Sequence, residues 1–162
     1  QISTAAQATV WSRLLKAAGT VTADSLTALG RDRLQQIGTT YRKADHILDF
    51  AKQVQNGTLN LEQLWSLSDE EVIRELTKLK GVGVWTAEMI LTFCMQRPNV
   101  VSFGDLAIRR GMRMLYRHRQ IDRTKFERYQ KCYAPYGTVA SLYLWAIAGG
   151  AVPGLTDPAG KK

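Results

Sequence analysis

Two cysteines, two histidines and four prolines are all that this 162-residue chain has of the residues that most often staple, ligate or break a fold. Cys94 and Cys132 lie far apart in apolar helical text with no second Cys or His at ligand spacing. A disulfide framework, a zinc site and an iron-sulfur cluster are therefore unsupported. His46 and His118 stand singly and read as surface or interface side chains rather than metal ligands. No apolar stretch reaches membrane-spanning length and no signal peptide opens the chain. An intracellular setting without a membrane partner is expected, cytoplasm or nucleoid in a bacterium and nucleus in a eukaryote. Strand-like alternation of β-branched residues is almost absent. Acidic residues are scarce as well: 14 Asp and Glu face 22 Lys and Arg, a net charge of +8, a balance that favours polyanions.

What is present is helical periodicity, with 45% apolar residues, enough to bury one sizeable core in one compact unit. The spacing predicts an all-α, multi-helix fold of about nine or ten short helices. Residues 4–18 form the first helix, ending at Gly19. Short helices over 23–29 and 31–37 are closed by Gly30 and Gly38, and a longer one over 41–55 by Asn56-Gly57. Residues 61–67 make a brief helix, and Ser68-Asp-Glu-Glu71 is a capping box for the next. Val84 to about Gln96 follows, then an extended connection from Arg97 to Gly104. Asp105 is placed as N-cap of a basic helix. A second capping box, Thr124-Lys-Phe-Glu127, opens a helix to about Tyr133, and residues 139–148 close the fold. Residues 1–150 form the domain and 151–162 a loose tail. The chain opens on Gln rather than Met and runs into helical text without a cap, so it is expected to lack its N-terminal part.

Positive charge is concentrated. Between Arg97 and Lys131 ten Lys and Arg face only Asp105, Asp122 and Glu127. Such a run can be a solvated helix face, but an excess this one-sided repels itself unless something anionic lies opposite, which points to DNA or RNA.

Residues 81–83 read Gly-Val-Gly between two helical runs. Gly81 and Gly83 let the backbone turn sharply and approach a ligand closely, and the amides opening the next helix are free donors suited to phosphate. Alone, the same turn is also a plain helix-to-helix connection. On the following helix Ala87, Ile90, Leu91 and Cys94 share one stripe, while Trp85 and Met89 lie one turn apart on another face that is either core or cleft wall. Trp145 is a second candidate for the same cleft. Asp105, twenty residues past Trp85, is either a plain cap or a carboxylate held ionised for use.

Leu79-Lys-Gly-Val-Gly-Val-Trp-Thr-Ala87, followed by Ser102-Phe-Gly-Asp-Leu-Ala-Ile-Arg-Arg-Gly111, resembles the helix-hairpin-helix (HhH-GPD) DNA glycosylase superfamily and within it the 3-methyladenine DNA glycosylase II branch. Agreement extends to Gln1-Ile-Ser3, Ile37–Ala44 and Leu144-Trp-Ala146. The resemblance implies a helical glycosylase fold around a cleft, with its hairpin over about residues 72–96. Its amides around Gly81, Val82 and Gly83 would hold phosphates of damaged double-stranded DNA, with Arg109, Arg110 and Gln1 as further DNA contacts. It makes Asp105 the catalytic carboxylate and Trp85, Met89 and Trp145 walls of a pocket for a flipped base. Members of the branch often have an aromatic where Met89 stands. A structural Na+ or K+ would sit on the carbonyls of Thr77, Leu79 and Val82, and no cofactor would serve catalysis. Bifunctional relatives carry Lys at the position of Trp85, because a Schiff base needs an amine. Trp there implies a monofunctional hydrolase, acting as a monomer on alkylated purines of the 3-methyladenine and 7-methylguanine type and leaving an abasic site. The absence of Cys from residues 149–162 implies no iron-sulfur cluster. The alternative is a non-catalytic helix-hairpin-helix module that binds DNA or recognises damage.

Overall fold

The computed structural model describes residues 4–160; Gln1, expected as a DNA contact, lies outside them. Among the described residues there are eight α-helices and no strand: α1 (Thr4–Ala18), α2 (Ala23–Gln36), α3 (Tyr41–Gln55), α4 (Asp69–Leu76), α5 (Val84–Phe93), α6 (Leu106–Tyr116), α7 (Arg123–Tyr133) and α8 (Gly137–Ala148). A short 3-10 turn at Gln63–Ser66 replaces the helix expected over 61–67.

Capping chemistry explains most boundaries. Thr22 and Ser25 exchange backbone and hydroxyl bonds (2.9 and 3.1 Å), a reciprocal box that starts α2. The two short helices expected between residues 23 and 37 are two arms of this one element, bent at Gly30, whose backbone (φ 73°, ψ 175°) is not helical. Thr40 caps α3 by accepting the Lys43 amide. At α7 the capping residue is Asp122 rather than Thr124: its carboxylate accepts the Lys125 amide at 2.8 Å, so the helix starts at Arg123. The charged acceptor two residues earlier wins over the hydroxyl, being the stronger partner for an orphan amide.

The chain forms two compact units where its length suggests one. One is built from the chain up to Ser68 together with Arg74–Val82, and the other from Asp69–Ile73 together with Gly83 onward. In the first unit α2 packs along α3 around Leu26, Leu34, Ile37, Ala44 and Ala51. Ala44 and Ala51 are fully buried and, seven residues apart, keep one face of α3 small enough for close approach.

In the second unit α6 packs against α8, and the core consists of Val101, Ile108, Met112, Ile121, Phe126 and Leu144. Gly111 is at the crossing. A Cβ added there would overlap the backbone carbonyl of Leu144, so the two helices meet backbone to backbone. The extended connection before Asp105 is strapped to the start of α8: the Val100 amide donates to the Thr138 hydroxyl (3.0 Å) and the Ser141 hydroxyl to the Val100 carbonyl (2.8 Å). The tail beyond Gly150, expected to be loose, has an anchor in Asp157, which takes both Arg113 Nε (2.9 Å) and Nη2 (2.5 Å). Composition marks this segment as irregular, which it is, but a bidentate guanidinium–carboxylate pair holds it.

Replacing Gly111 by Ala should lower stability by about 1–3 kcal/mol, because the added methyl meets backbone that cannot rotate away. Urea denaturation of the variant beside the wild type measures this, and an unchanged midpoint would contradict the close crossing.

Candidate active site and nucleic-acid interface

Asp105 caps α6 from an extended backbone (φ −78°, ψ 117°). Its Oδ1 accepts the amides of Ala107 (2.8 Å) and Ile108 (2.9 Å) and the indole N–H of Trp145 (3.1 Å), while Oδ2 accepts the indole N–H of Trp85 (2.8 Å). The residue is only 5% exposed. Burial pushes its carboxyl up, but Trp85, the Ile108 amide, Trp145 and the Ala107 amide together outweigh burial and hold it below the ordinary carboxylate range. A plain helix cap needs only the two amides. The two indoles, from α5 and α8, are what separate this carboxylate from a cap.

Of the two indoles on it, Trp145 is half-buried against the core of this unit, and Trp85 is the more open. Trp85 is 39% exposed and Met89, one turn later, is half-buried, whereas Ala87 and Leu91 on the other stripe of α5 are buried. Cys94, assigned to that buried stripe, is exposed; it is the C-cap of α5, with its amide still donating to the Ile90 carbonyl. Trp145 stacks on Phe93, ring centres 5.6 Å apart and planes within 19°. Glu88, unremarked in the sequence, shares the Trp85 face and accepts a very short hydrogen bond from the buried Ser102 hydroxyl. Burial pushes the Glu88 carboxyl up; Ser102 and Arg123 oppose this and the nearby charge of Asp105 reinforces it. The signal for Glu88 was in the numbering: it follows Trp85 by three residues, as Ser102 precedes Asp105 by three.

At the hairpin, Gly81 has φ +82°, and a Cβ there would overlap the His46 imidazole. His46 thus packs on the turn as an interface side chain. Gly83 differs: its backbone (φ −97°, ψ 174°) is one any residue adopts, and no heavy atom lies within 4 Å of the position its Cβ would take. Its smallness leaves space in front of α5, whose first turn has no side-chain cap. The Val82 amide turns back to the Leu79 carbonyl (3.2 Å).

The basic stretch is partly neutralised from within. Arg113 and Arg110 (3.7 Å) face Asp157, and Arg123 pairs with Glu127 (2.8 Å). Arg109 and Arg123 both lie over the Phe103 ring, at 5.0 and 4.9 Å. Arg109 Nε is buried without a hydrogen-bond partner among the described residues. Arg117, Arg119 and Lys131 remain exposed. No helix among the described residues is long and apolar enough to cross a membrane.

An all-helical fold with a glycine hairpin, an indole two residues beyond it and a capping carboxylate twenty residues further on defines the helix-hairpin-helix class. The chain belongs to the HhH-GPD superfamily of base excision DNA repair proteins, whose family model matches residues 1–135. DNA-3-methyladenine glycosylase 1 of Schizosaccharomyces pombe is 36% identical over 114 residues, which is 69% of this chain and 50% of that protein. A crystal structure of DNA-3-methyladenine glycosidase from Bacillus halodurans superposes with a TM-score of 0.79 at 36% identity, covering 92% of this chain and 70% of that one. The S. pombe 3-methyladenine DNA glycosylase in complex with abasic DNA gives 0.78 at 30% identity over 90% of this chain and 73% of that one. The chain spans about half the length of the curated relatives it matches.

The bond from Trp85 to Asp105 gives a stability prediction with a definite sign. A folded-state pKa below the ordinary carboxylate value of about 3.9 contributes stability that is present above that value and lost as pH falls through the folded pKa. Trp85→Phe removes one donor to the ionised form, so it should cost about 1 kcal/mol at pH 7, discounted for the exposure of the indole, and progressively less below about pH 4. Urea denaturation at pH 7 and pH 3 checks this; a difference independent of pH would mean that the indole packs without holding the charge.

Proposed function

We propose that this chain carries the catalytic machinery of a monofunctional DNA glycosylase that hydrolyses the N-glycosidic bond of alkylated purines in double-stranded DNA. The observation that carries the proposal is Asp105, a buried carboxylate kept anionic by neutral donors, beside exposed aromatic faces. The relatives named for 3-methyladenine, one of them bound to abasic DNA, support the substrate class and the product.

In this reading the hairpin amides near Gly81 and Gly83 and the basic stretch from Arg109 to Lys131, with Arg117, Arg119 and Lys131 exposed, hold DNA phosphates, with a steep dependence on salt. The damaged nucleotide leaves the stack at a cost of a few kcal/mol, less for a lesion than for an intact pair. Breaking the bond between the base and C1′ builds positive charge on the sugar, which the Asp105 carboxylate stabilises while it orients or deprotonates the attacking water. Methylation at N3 or N7 makes the purine cationic, so it departs without a strong general acid. Trp85 and Trp145 attract that cation through their faces by about 0.5–2 kcal/mol, and the Met89 thioether packs against the ring. An indole in place of an amine at residue 85 gives no Schiff base, so the product is an unbroken abasic strand. A structural alkali-metal ion on the carbonyls of Thr77, Leu79 and Val82 suits three neutral oxygens. The Leu79 oxygen already accepts the Val82 amide and keeps one lone pair for such an ion.

The half-exposed Trp85 favours this reading over a non-catalytic DNA-binding module, which has no use for a charged carboxylate beneath an open indole. Duplex DNA containing 7-methylguanine should lose that base on incubation with the protein and stay intact until treated with alkali. Asp105→Asn should slow release in a single turnover by roughly a hundredfold or more. Release by the Asn variant at the wild-type rate would falsify the assignment of Asp105, and binding of lesion DNA without release by the wild type would favour the module.

A further inference from the structure

We infer that Glu88 is a positioning residue for Asp105, holding the Ser102–Asp105 loop against α5 through the Ser102 hydroxyl. This rests on the role proposed for Asp105 above.

Two ties join α5 to that loop, and they are evenly spaced. Trp85 on α5 donates to Asp105, and three residues later on the same helix face Glu88 accepts from Ser102, three residues before Asp105. The first tie is one of the four bonds that place the carboxylate. The second holds the other end of the Ser102–Asp105 loop to the same helix. Ser102 is 1% exposed and its hydroxyl donates to Glu88, so loss of the acceptor would strand a buried polar group. The chain between the ties is compact, with the Asp105 amide donating to the Ser102 carbonyl at 3.4 Å. Gly104 lies within it, where an added Cβ would meet both the Ser102 hydroxyl (3.8 Å) and the Trp85 Cβ (3.9 Å). The charged groups facing Glu88 are Arg123 from α7 and Asp105 itself. Burial and the Asp105 charge push its carboxyl up, while the bond from Ser102 and the charge of Arg123 oppose this.

The test uses the full chain and compares Glu88→Ala, Glu88→Gln and Ser102→Ala. Glu88→Ala and Ser102→Ala should each slow single-turnover release of 7-methylguanine by roughly ten- to a hundredfold, with affinity for an abasic duplex within about twofold of wild type. Glu88→Gln, whose amide oxygen still accepts from Ser102, should recover most of the loss. In the Asp105→Asn background, Glu88→Ala should add nothing further. Ser102→Ala breaks the same bond from the other partner and supplies the measurement if Glu88→Ala does not fold. The indole N–H resonances of Trp85 and Trp145, read by NMR, should shift in the two Ala variants and stay in place in Glu88→Gln. Those shifts in the Ala variants, beside a wild type that releases no base, would remove the glycosylase reading while leaving the tie. A full release rate and unmoved indole signals in both Ala variants would overturn the inference, as would additive losses with Asp105→Asn or failure of Gln to rescue.

Discussion

A carboxylate largely withdrawn from water must be compensated, and the second unit is organised around how that is done for Asp105. Desolvating such a charge costs several kcal/mol unless hydrogen bonds replace the lost water. The four donors come from three helices: an indole on α5, two amides at the head of α6 and an indole on α8. Each helix has to arrive within hydrogen-bond range at the same point. The backbone crossing at Gly111 brings α6 and α8 together, and the strap from Val100 to Thr138 and Ser141 fixes where the chain enters α6. Much of the packing in this unit therefore serves to place two nitrogen atoms.

The choice of donors matters as much as their number. An arginine beside Asp105 would also have lowered its pKa, but it would have cancelled its charge. Amides and indoles stabilise the anion and leave the full negative charge available to a developing cation. On α6, Arg109 lies over the Phe103 ring, and Arg113 and Arg110 are directed to Asp157. Positive charge near the site is thus held by a ring face and by the C-terminal segment, while Arg117, Arg119 and Lys131 carry theirs outward.

Legibility in the sequence tracked how local each feature is. The hairpin, the Asp105 cap and the α5 stripe depend on neighbours within a few residues, and each stands where its residues imply, apart from the exposed Cys94 at the C-cap. The Trp85–Asp105 spacing became meaningful through the family resemblance, because twenty residues of helix and loop separate the partners. Trp145 is forty residues from Asp105, and no local pattern reports that its indole turns inward. Glu88, Phe93 and His46 were missed or set aside because their roles exist only once α5, α8 and α3 have found their partners. The α7 start shows a subtler failure: two legitimate caps, Asp122 and Thr124, competed within one turn, and local spacing alone favoured the complete box over the stronger acceptor. The anchor at Asp157 joins residues 44 positions apart, beyond the reach of any composition argument.

An indole has one polar hydrogen, and in both Trp85 and Trp145 it points to Asp105. What these side chains can offer an approaching ring is therefore only polarizable surface, and Trp145 already gives part of its surface to Phe93. Met89 adds a thioether, which is no donor either. In the function proposed above, walls of this kind would not read the edge pattern that distinguishes one base from another. They would respond to flatness, electron deficiency and charge, and chemically different rings that share a positive charge would look alike to them.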